Sequence, residues 1–402
     1  VRQNARWLIG GIGLTFFASF GQTFFIAMFA SGYRTEFGLS HGEFGSVYML
    51  GTLASAITLV FLGKVVDFYS VRIVSCLVIV ALAVACALMA SAQSVPGLIF
   101  AIYCLRLAGQ GMMTHTAITA MGRWFVAERG RAVSVTSAGH QLGEAIFPFI
   151  VIGLLASIDW RLMWWACSVA LLLVALPLIR LCFTLDRTPS GAAKEQSETG
   201  RQWTRAEAIR DPWFWLATCG VLAPGFIGTS VWFHQVHLLE LKQWDSGVLV
   251  AGFAMMSLVS VATSLLTGQM IDRISAHQLL PLVLVPLIVG CFLLSVAQQG
   301  YLLLVFMLLL GICYGFYGAI FGAIWSEVYG TRHLGAIRSV VFACMVLASA
   351  VGPGITGWLI DYGVGFEQQL LFMSGISFIG VIVLVPTANR LRGHVLDNAA
   401  AL

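Results

Sequence analysis

The sequence predicts an all-α integral membrane protein of twelve spanning helices arranged as two parallel six-helix repeats. Three observations predict it: the composition, the length of the apolar runs, and a fixed offset that superposes one half of the chain on the other. Of 402 residues, 59% are hydrophobic and 10% charged, against about 25% charged in an ordinary soluble domain. That composition excludes a soluble enzyme. The formal net charge of +4 is too small and too scattered for a nucleic-acid-binding face, so the expected surroundings are lipid. The nine cysteines lie in or at the ends of apolar runs and form no Cys-x-x-Cys pair. They read as small hydrophobic packing residues, not as a disulfide framework or a zinc site.

A helix needs about 20 mostly apolar residues to cross a hydrocarbon core roughly 30 Å thick. The first half supplies such runs at 7–30, 44–63, 72–92, 96–121, 132–156 and 161–183. The second supplies 213–238, 247–270, 279–297, 300–326, 336–360 and 368–388. The first run is too long for a signal-peptide core and lacks a small-residue cleavage site, so it reads as a retained span. Continuous apolar runs, rather than short alternating strands, exclude a transmembrane β-barrel.

Lys and Arg flanking spans are retained on the cytoplasmic side. With the N-terminus inside, only Arg34, Arg161 and Lys242 of the 22 Lys and Arg fall outside, and Arg106 alone lies within a span. The expected product is a multi-pass inner-membrane protein with both termini cytoplasmic.

A shift of 205 residues carries Gly42 onto Gly247, Gly63 and Asp67 onto Gly268 and Asp272, Gly130 onto Gly335, and Pro148 onto Pro353. Six spans per copy is an even number, so the copies run parallel and are related by an axis along the membrane normal. The expected organisation is an N-terminal bundle at 1–183, a polar cytoplasmic linker at 184–210 and a C-terminal bundle at 211–402. The linker length lets two rigid bundles move relative to each other.

Between spans two and three the chain reads Gly63-Lys-Val-Val-Asp67-Phe-Tyr-Ser-Val-Arg72, and its repeat reads Gly268-Gln-Met-Ile-Asp272-Arg273. With twelve spans as six plus six, this loop resembles that of the major facilitator superfamily, over essentially the whole chain. The resemblance implies transport of a small solute by alternating access. Phe68 and Ser70 depart from the family pattern, where a basic residue and a glycine are usual, which implies a reduced ion-pair network. Asp67, Arg72, Asp272 and Arg273 are expected as gate residues, because a carboxylate at the membrane edge can hold a helix N-terminus or an Arg in one conformer only.

A charge at mid-membrane costs roughly 2.5–3.5 kcal/mol on insertion scales, so an intramembrane ion is a functional candidate by default. Arg106 in span four and Glu144 in span five are such ions, both near the midplane at 1.5 Å rise per residue. They are expected to pair across neighbouring antiparallel helices. The 205 shift carries them onto Gly311 and Ser349, so the scaffold does not require them, and they are assigned to solute or proton. In the family, an Arg at this depth begins a Gly-rich motif tied to proton coupling, here represented by Gly109 and Gly111. His140 stacks one turn before Glu144 and is a fitting proton partner, since imidazole titrates near neutrality. Gln110 shares a stripe with Arg106, and His115 lies half a turn out of phase with it.

Gln22 interrupts the apolar run of span one and offers hydrogen bonds to a solute. Tyr314 and Tyr317 stand on span ten, where Gly311, Gly315, Gly318 and Gly322 permit close packing, and can reach a cavity wall. His234 and His237 close span seven as an aromatic belt or an extracellular entrance lip.

The run Arg123-Trp124-Phe125 through Arg129-Gly130-Arg131-Ala132, followed by Gly139 and Gly143, resembles the monocarboxylate and oxalate/formate branch of the superfamily. That resemblance implies an organic anion with Arg106 as its counter-charge, although span eight has no charged residue where the branch usually places one. The expected function is a proton-coupled symporter of a small organic solute, acting as a monomer without a cofactor. Alternatives are a metal ion or planar vitamin-like solute, a uniporter or exporter without proton coupling, and a non-transporting receptor. The Met-x3-Met and His-x3-Met pairs used by the superfamily's copper importers do not occur here. No nucleophile–base or metal constellation for an enzyme is visible.

Overall fold

The computed structural model describes residues 5–63, 65–125, 129–155, 157–184, 202–330 and 332–400, with the backbone alone at 67, 129, 130, 272, 335 and 396–400. Residues 185–201 of the expected linker lie outside the described residues. Among the described residues, 12 helices are long and apolar enough to cross a bilayer. Spans one to six are Ala5–Ala27, His41–Leu62, Val71–Ala90, Val95–Trp124, Arg131–Leu155 and Trp160–Cys182. Spans seven to twelve are Pro212–Phe233, Ser246–Ile271, Ala276–Ser295, Tyr301–Tyr329, Ala336–Asp361 and Phe366–Val395.

Helix starts follow local chemistry. Ser40 and Glu43 form a reciprocal capping box at the head of span two, each side chain satisfying a backbone N–H of the other's residue. Ser70, Ser94, Asp159 and Asp245 cap spans three, four, six and eight. A cap of this kind is worth about 1 kcal/mol. The shift of 205 carries Ser40 onto Asp245, so the two copies also begin their second spans alike.

The chain divides into two compact units, one of residues 1–194 with 232–237 and the other of 195–231 with 238–402. In the first unit, Phe25, Phe29, Phe147 and Trp164 pack as a ladder of tilted and edge-on rings. In the second, Phe321, Trp325 and Tyr329 stack in series and Phe214 packs tilted and edge-on against Trp325 and Tyr329. Large apolar side chains such as Phe61, Leu173 and Leu258, each more than 70% exposed, suit contact with lipid tails, which reward no apolar burial. At the ends opposite the basic clusters, Arg161 pairs with Glu36 and Lys242 with Glu367 at 2.9 Å.

Glycines set the closest approaches. Gly139 of span five faces the backbone of Ile12 in span one, and Gly311 and Gly315 of span ten face the backbone of Met256 and Ser260 in span eight. The first unit has Arg106 where the second has Gly311, so one position serves close packing in one copy and carries a charge in the other.

Gly311→Val is therefore expected to lose about 1–3 kcal/mol through overpacking, read as a fall of several degrees in the melting temperature of the detergent-solubilised protein. Gly318→Val, at a position with open space around it, should stay within about 0.5 kcal/mol of the parent.

Candidate functional site

Span one is not one helix. It tightens into a 3-10 turn at Ala18–Gly21, passes through an extended Gln22 at φ −87° and ψ 155°, and resumes as Thr23–Ala27. The break frees backbone groups in the middle of the span, and such groups must find partners within the protein. Gly21 lies against Gly109 of span four so closely that a Cβ on either would collide with the other's backbone. Span four answers with a π-helical stretch, Arg106–Met113, a widening that recurs at functional sites.

Arg106 stands at the first residue of that stretch and is 1% exposed. Its Nη1 donates to the Gly21 carbonyl at 3.1 Å and to Thr23 Oγ1 at 3.3 Å. Its guanidinium lies 5.4 Å from the centroid of the Tyr48 ring, and Thr23 and Tyr48 share a hydroxyl hydrogen bond of 2.6 Å. Arg106 Nε and Nη2 are buried without a hydrogen-bond partner.

Glu144 is 6% exposed. Its Oε1 lies 3.3 Å from Nε2 of the half-buried His140, while His140 Nδ1 is buried without a hydrogen-bond partner. The expected Arg106–Glu144 ion pair is not formed. Among the described residues no carboxylate lies within salt-bridge distance of Arg106, and Glu144 pairs with His140 alone. Helical spacing placed both ions at mid-depth but carried no information on rotation, and the break in span one gives Arg106 backbone and hydroxyl acceptors instead.

Two nearby candidates sit at the edge of this cluster: Gln22 at the break and Gln110 within the π stretch are both half-buried. His115 departs from the expected grouping. It is exposed, with Nε2 3.2 Å from the carbonyl of Gly63 at the end of span two, and so belongs to the helix end rather than to Arg106.

Of the expected lip residues, His234 is buried and His237 half-buried. Span seven ends at Phe233, and the segment 232–237 clusters with the first unit. His234 is 2% exposed, and the rings of His234 and His237 lie 5.8 and 4.2 Å from that of His41. Phe233, 2% exposed, stacks on Phe44 at 4.8 Å and lies 4.9 Å from Tyr48, closing one side of the Tyr48–Arg106 cluster. Gln235 donates to the Phe24 carbonyl at 3.3 Å.

The tyrosines of span ten belong to the second unit. Tyr314 donates to the Pro224 carbonyl at 3.4 Å, and Tyr317 lies 2.7 Å from Met345 Sδ. Of the gate residues, Arg72 is half-buried and Arg273 exposed, while the side chains of Asp67 and Asp272 lie outside the described residues. Thr23, Tyr48 and His41 were not singled out from sequence. The polar triplet Gly21-Gln22-Thr23 inside an apolar run is a signal for Thr23 alone.

The model of the Major Facilitator Superfamily matches residues 12–300 and 254–400. The chain belongs to the major facilitator superfamily. Among curated proteins, it is 25% identical to the oxalate:formate antiporter of Oxalobacter formigenes over 312 residues, 75% of this chain and 72% of that protein. It is 29% identical to the plastidic glucose transporter 4 of Arabidopsis thaliana over 154 residues, 35% of this chain and 28% of that protein. Among solved structures, a bacterial homolog of the lysosomal transporter Spinster, inward-facing and unoccupied, aligns at TM-score 0.69 and 15% identity, covering 98% of both chains. The nucleoside transporter NupG aligns at 0.69 and 15%, covering 96% of this chain and 99% of that one. At that identity the structural likeness establishes the major facilitator fold alone.

Arg106→Met removes the donor to the Gly21 carbonyl at the break in span one, and a buried acceptor left unsatisfied costs about 1–3 kcal/mol. Arg106→Met is therefore expected to melt several degrees below the parent in the absence of solute. An unchanged melting temperature would show that the break in span one does not depend on Arg106.

Proposed function

We propose that this major facilitator protein is a secondary active transporter of a small organic anion. It works by alternating access, with the basic helix ends in the cytoplasm, and protons are coupled through His140 and Glu144. The observation that carries the reading is Arg106, a cation 1% exposed that meets no carboxylate among the described residues and keeps two nitrogens without partners. Such a group stays costly until an anion takes those donors. The Nε and Nη2 edge of a guanidinium matches the two oxygens of a carboxylate, which makes a carboxylate the fitting solute class.

The curated relative named for oxalate and formate supports the same class. The carboxylate–imidazole pair of Glu144 and His140, 3.3 Å apart, supports proton coupling, because two adjacent side chains that each accept a proton can pass one between them. A metal-ion solute gains no support, since among the described residues no three His, Cys, Asp or Glu converge. The relative's name favours a second mode, anion exchange without a proton.

Uptake into proteoliposomes separates the two modes. With formate, acetate and lactate as probes, an inward-directed proton gradient is expected to drive accumulation of at least one of them. Glu144→Gln mimics the protonated carboxyl permanently, so gradient-driven accumulation should disappear while exchange of internal for external anion persists. Accumulation in Glu144→Gln at the parent's level would reject proton coupling through this residue, and gradient-independent exchange in the parent would support the exchange mode.

A further inference from the structure

Resting on the anion reading above, we infer that Thr23 and Tyr48 complete the binding site: with the Nε/Nη2 edge of Arg106 they receive one carboxylate of a singly charged solute. The argument is a count of protons against acceptors. A guanidinium carries five N–H donors. The two on Nη1 are taken by the Gly21 carbonyl and Thr23 Oγ1, and those on Nε and Nη2 are not taken. Thr23 and Tyr48 bring one hydroxyl proton each and share a single hydrogen bond. Whichever of them donates, the other's proton has no acceptor among the described residues. The cluster therefore holds a surplus of donors on one face and an acceptor deficit around a full positive charge.

Thr23 and Tyr48 are 3% and 0% exposed, so water does not make up the deficit at the surface. Carboxylate is the group that fits. Its two oxygens offer about four lone-pair sites, enough for Nε, Nη2 and the spare hydroxyl proton together. The sharing arrangement also sets direction. Because Thr23 Oγ1 already accepts from Arg106, its own proton is free to donate to Tyr48, which turns the phenolic proton outward as the third donor.

The charge of the solute follows from the same surroundings. Arg106 is the only Lys or Arg in the middle of any described span. A second carboxylate on the solute would meet no second cation of that kind, and burying it unpaired costs several kcal/mol. Monocarboxylates are thus selected over dicarboxylates, which separates this chain from the oxalate part of its relative's name.

Access to the site passes Phe233, whose ring lies against that of Tyr48.

The test measures affinity for formate, acetate and lactate, and for oxalate and malonate, by thermal shift and competitive uptake. It uses the full-length protein and the variants Arg106→Gln, Tyr48→Phe, Thr23→Val and Thr23→Ser. Tyr48→Phe keeps the ring under the guanidinium and Thr23→Val keeps the volume; each loses a buried hydrogen bond, so the shift caused by solute is read against each variant's own melting temperature. Each is expected to weaken monocarboxylate affinity about tenfold, the scale of one hydrogen bond to a charged group. Thr23→Ser should return to within about twofold of the parent, and oxalate and malonate should bind the parent at least about tenfold more weakly than the best monocarboxylate. Parental affinity in both Tyr48→Phe and Thr23→Val, or dicarboxylates binding as well as monocarboxylates, overturns this inference while leaving Arg106 as counter-charge. No monocarboxylate binding by the parent, or parental binding by Arg106→Gln, overturns the anion reading itself and this inference with it.

Discussion

The structure turns on one contact: the Arg106 guanidinium reaching across to the carbonyl that span one releases at Gly21. A broken helix in a bilayer leaves polar backbone in hydrocarbon, and each unsatisfied group there costs several kcal/mol. A buried guanidinium is costly for the opposite reason. Each offsets part of the other's cost, since a hydrogen bond to a charged group is worth about 1.5–3 kcal/mol. The balance is incomplete by design of the chemistry: one nitrogen of Arg106 is satisfied and two are not.

The neighbouring backbone is shaped to permit that contact. Gly21 and Gly109 bring spans one and four to touching distance, and the π-helical stretch from Arg106 to Met113 begins at the residue that makes the bond. The second copy shows what the scaffold does without it. Gly311 replaces Arg106 and packs on the backbone of span eight, and Tyr301–Tyr329 runs as one uninterrupted α-helix. Duplication supplied two equal frames, and the charge with its π-helical stretch appears in one.

Much of this was legible in the sequence because membrane folds are written in coarse terms. Run length gave twelve spans with most ends within three residues, the ends of spans seven and twelve falling at 233 and 395 against the expected 238 and 388, and the repeat offset extended unforeseen to the caps Ser40 and Asp245. Arg106 and Glu144 stood out because charge in an apolar run is expensive wherever it sits. Their partners were not legible. Pairing depends on helix rotation and on the break at Gln22, and a break is a property of tertiary contact at Gly21 rather than of any residue's propensity. Tyr48 carried no signal of its own and Thr23 only that of the polar triplet Gly21-Gln22-Thr23, both being ordinary residues for a helix interior until a guanidinium is placed beside them. His234 and His237 read as interfacial because they end an apolar run, yet His234 is buried because the chain turns at that point and packs onto the first unit.

The separation of Arg106 from Glu144 has an energetic consequence that pairing would have removed. With the solute absent, Arg106 positive and Glu144 negative, the first unit carries no net intramembrane charge from these two groups. An anion bound to Arg106 alone neutralises the cation and leaves Glu144 as an uncompensated carboxylate in a low-dielectric interior. A proton on Glu144, with His140 at hand to deliver it, removes that residue's charge and leaves the loaded core neutral again. In the proposed cycle anion and proton are thereby favoured together and disfavoured singly, with no direct contact between their sites. A direct ion pair would give the opposite economy: Arg106 and Glu144 would satisfy each other in the empty carrier, and the solute would have to break that bond to enter. The observed geometry holds each ion among neutral or titratable neighbours, and in the proposed cycle that leaves the cation open to a counter-charge and ties its occupancy to protonation of Glu144.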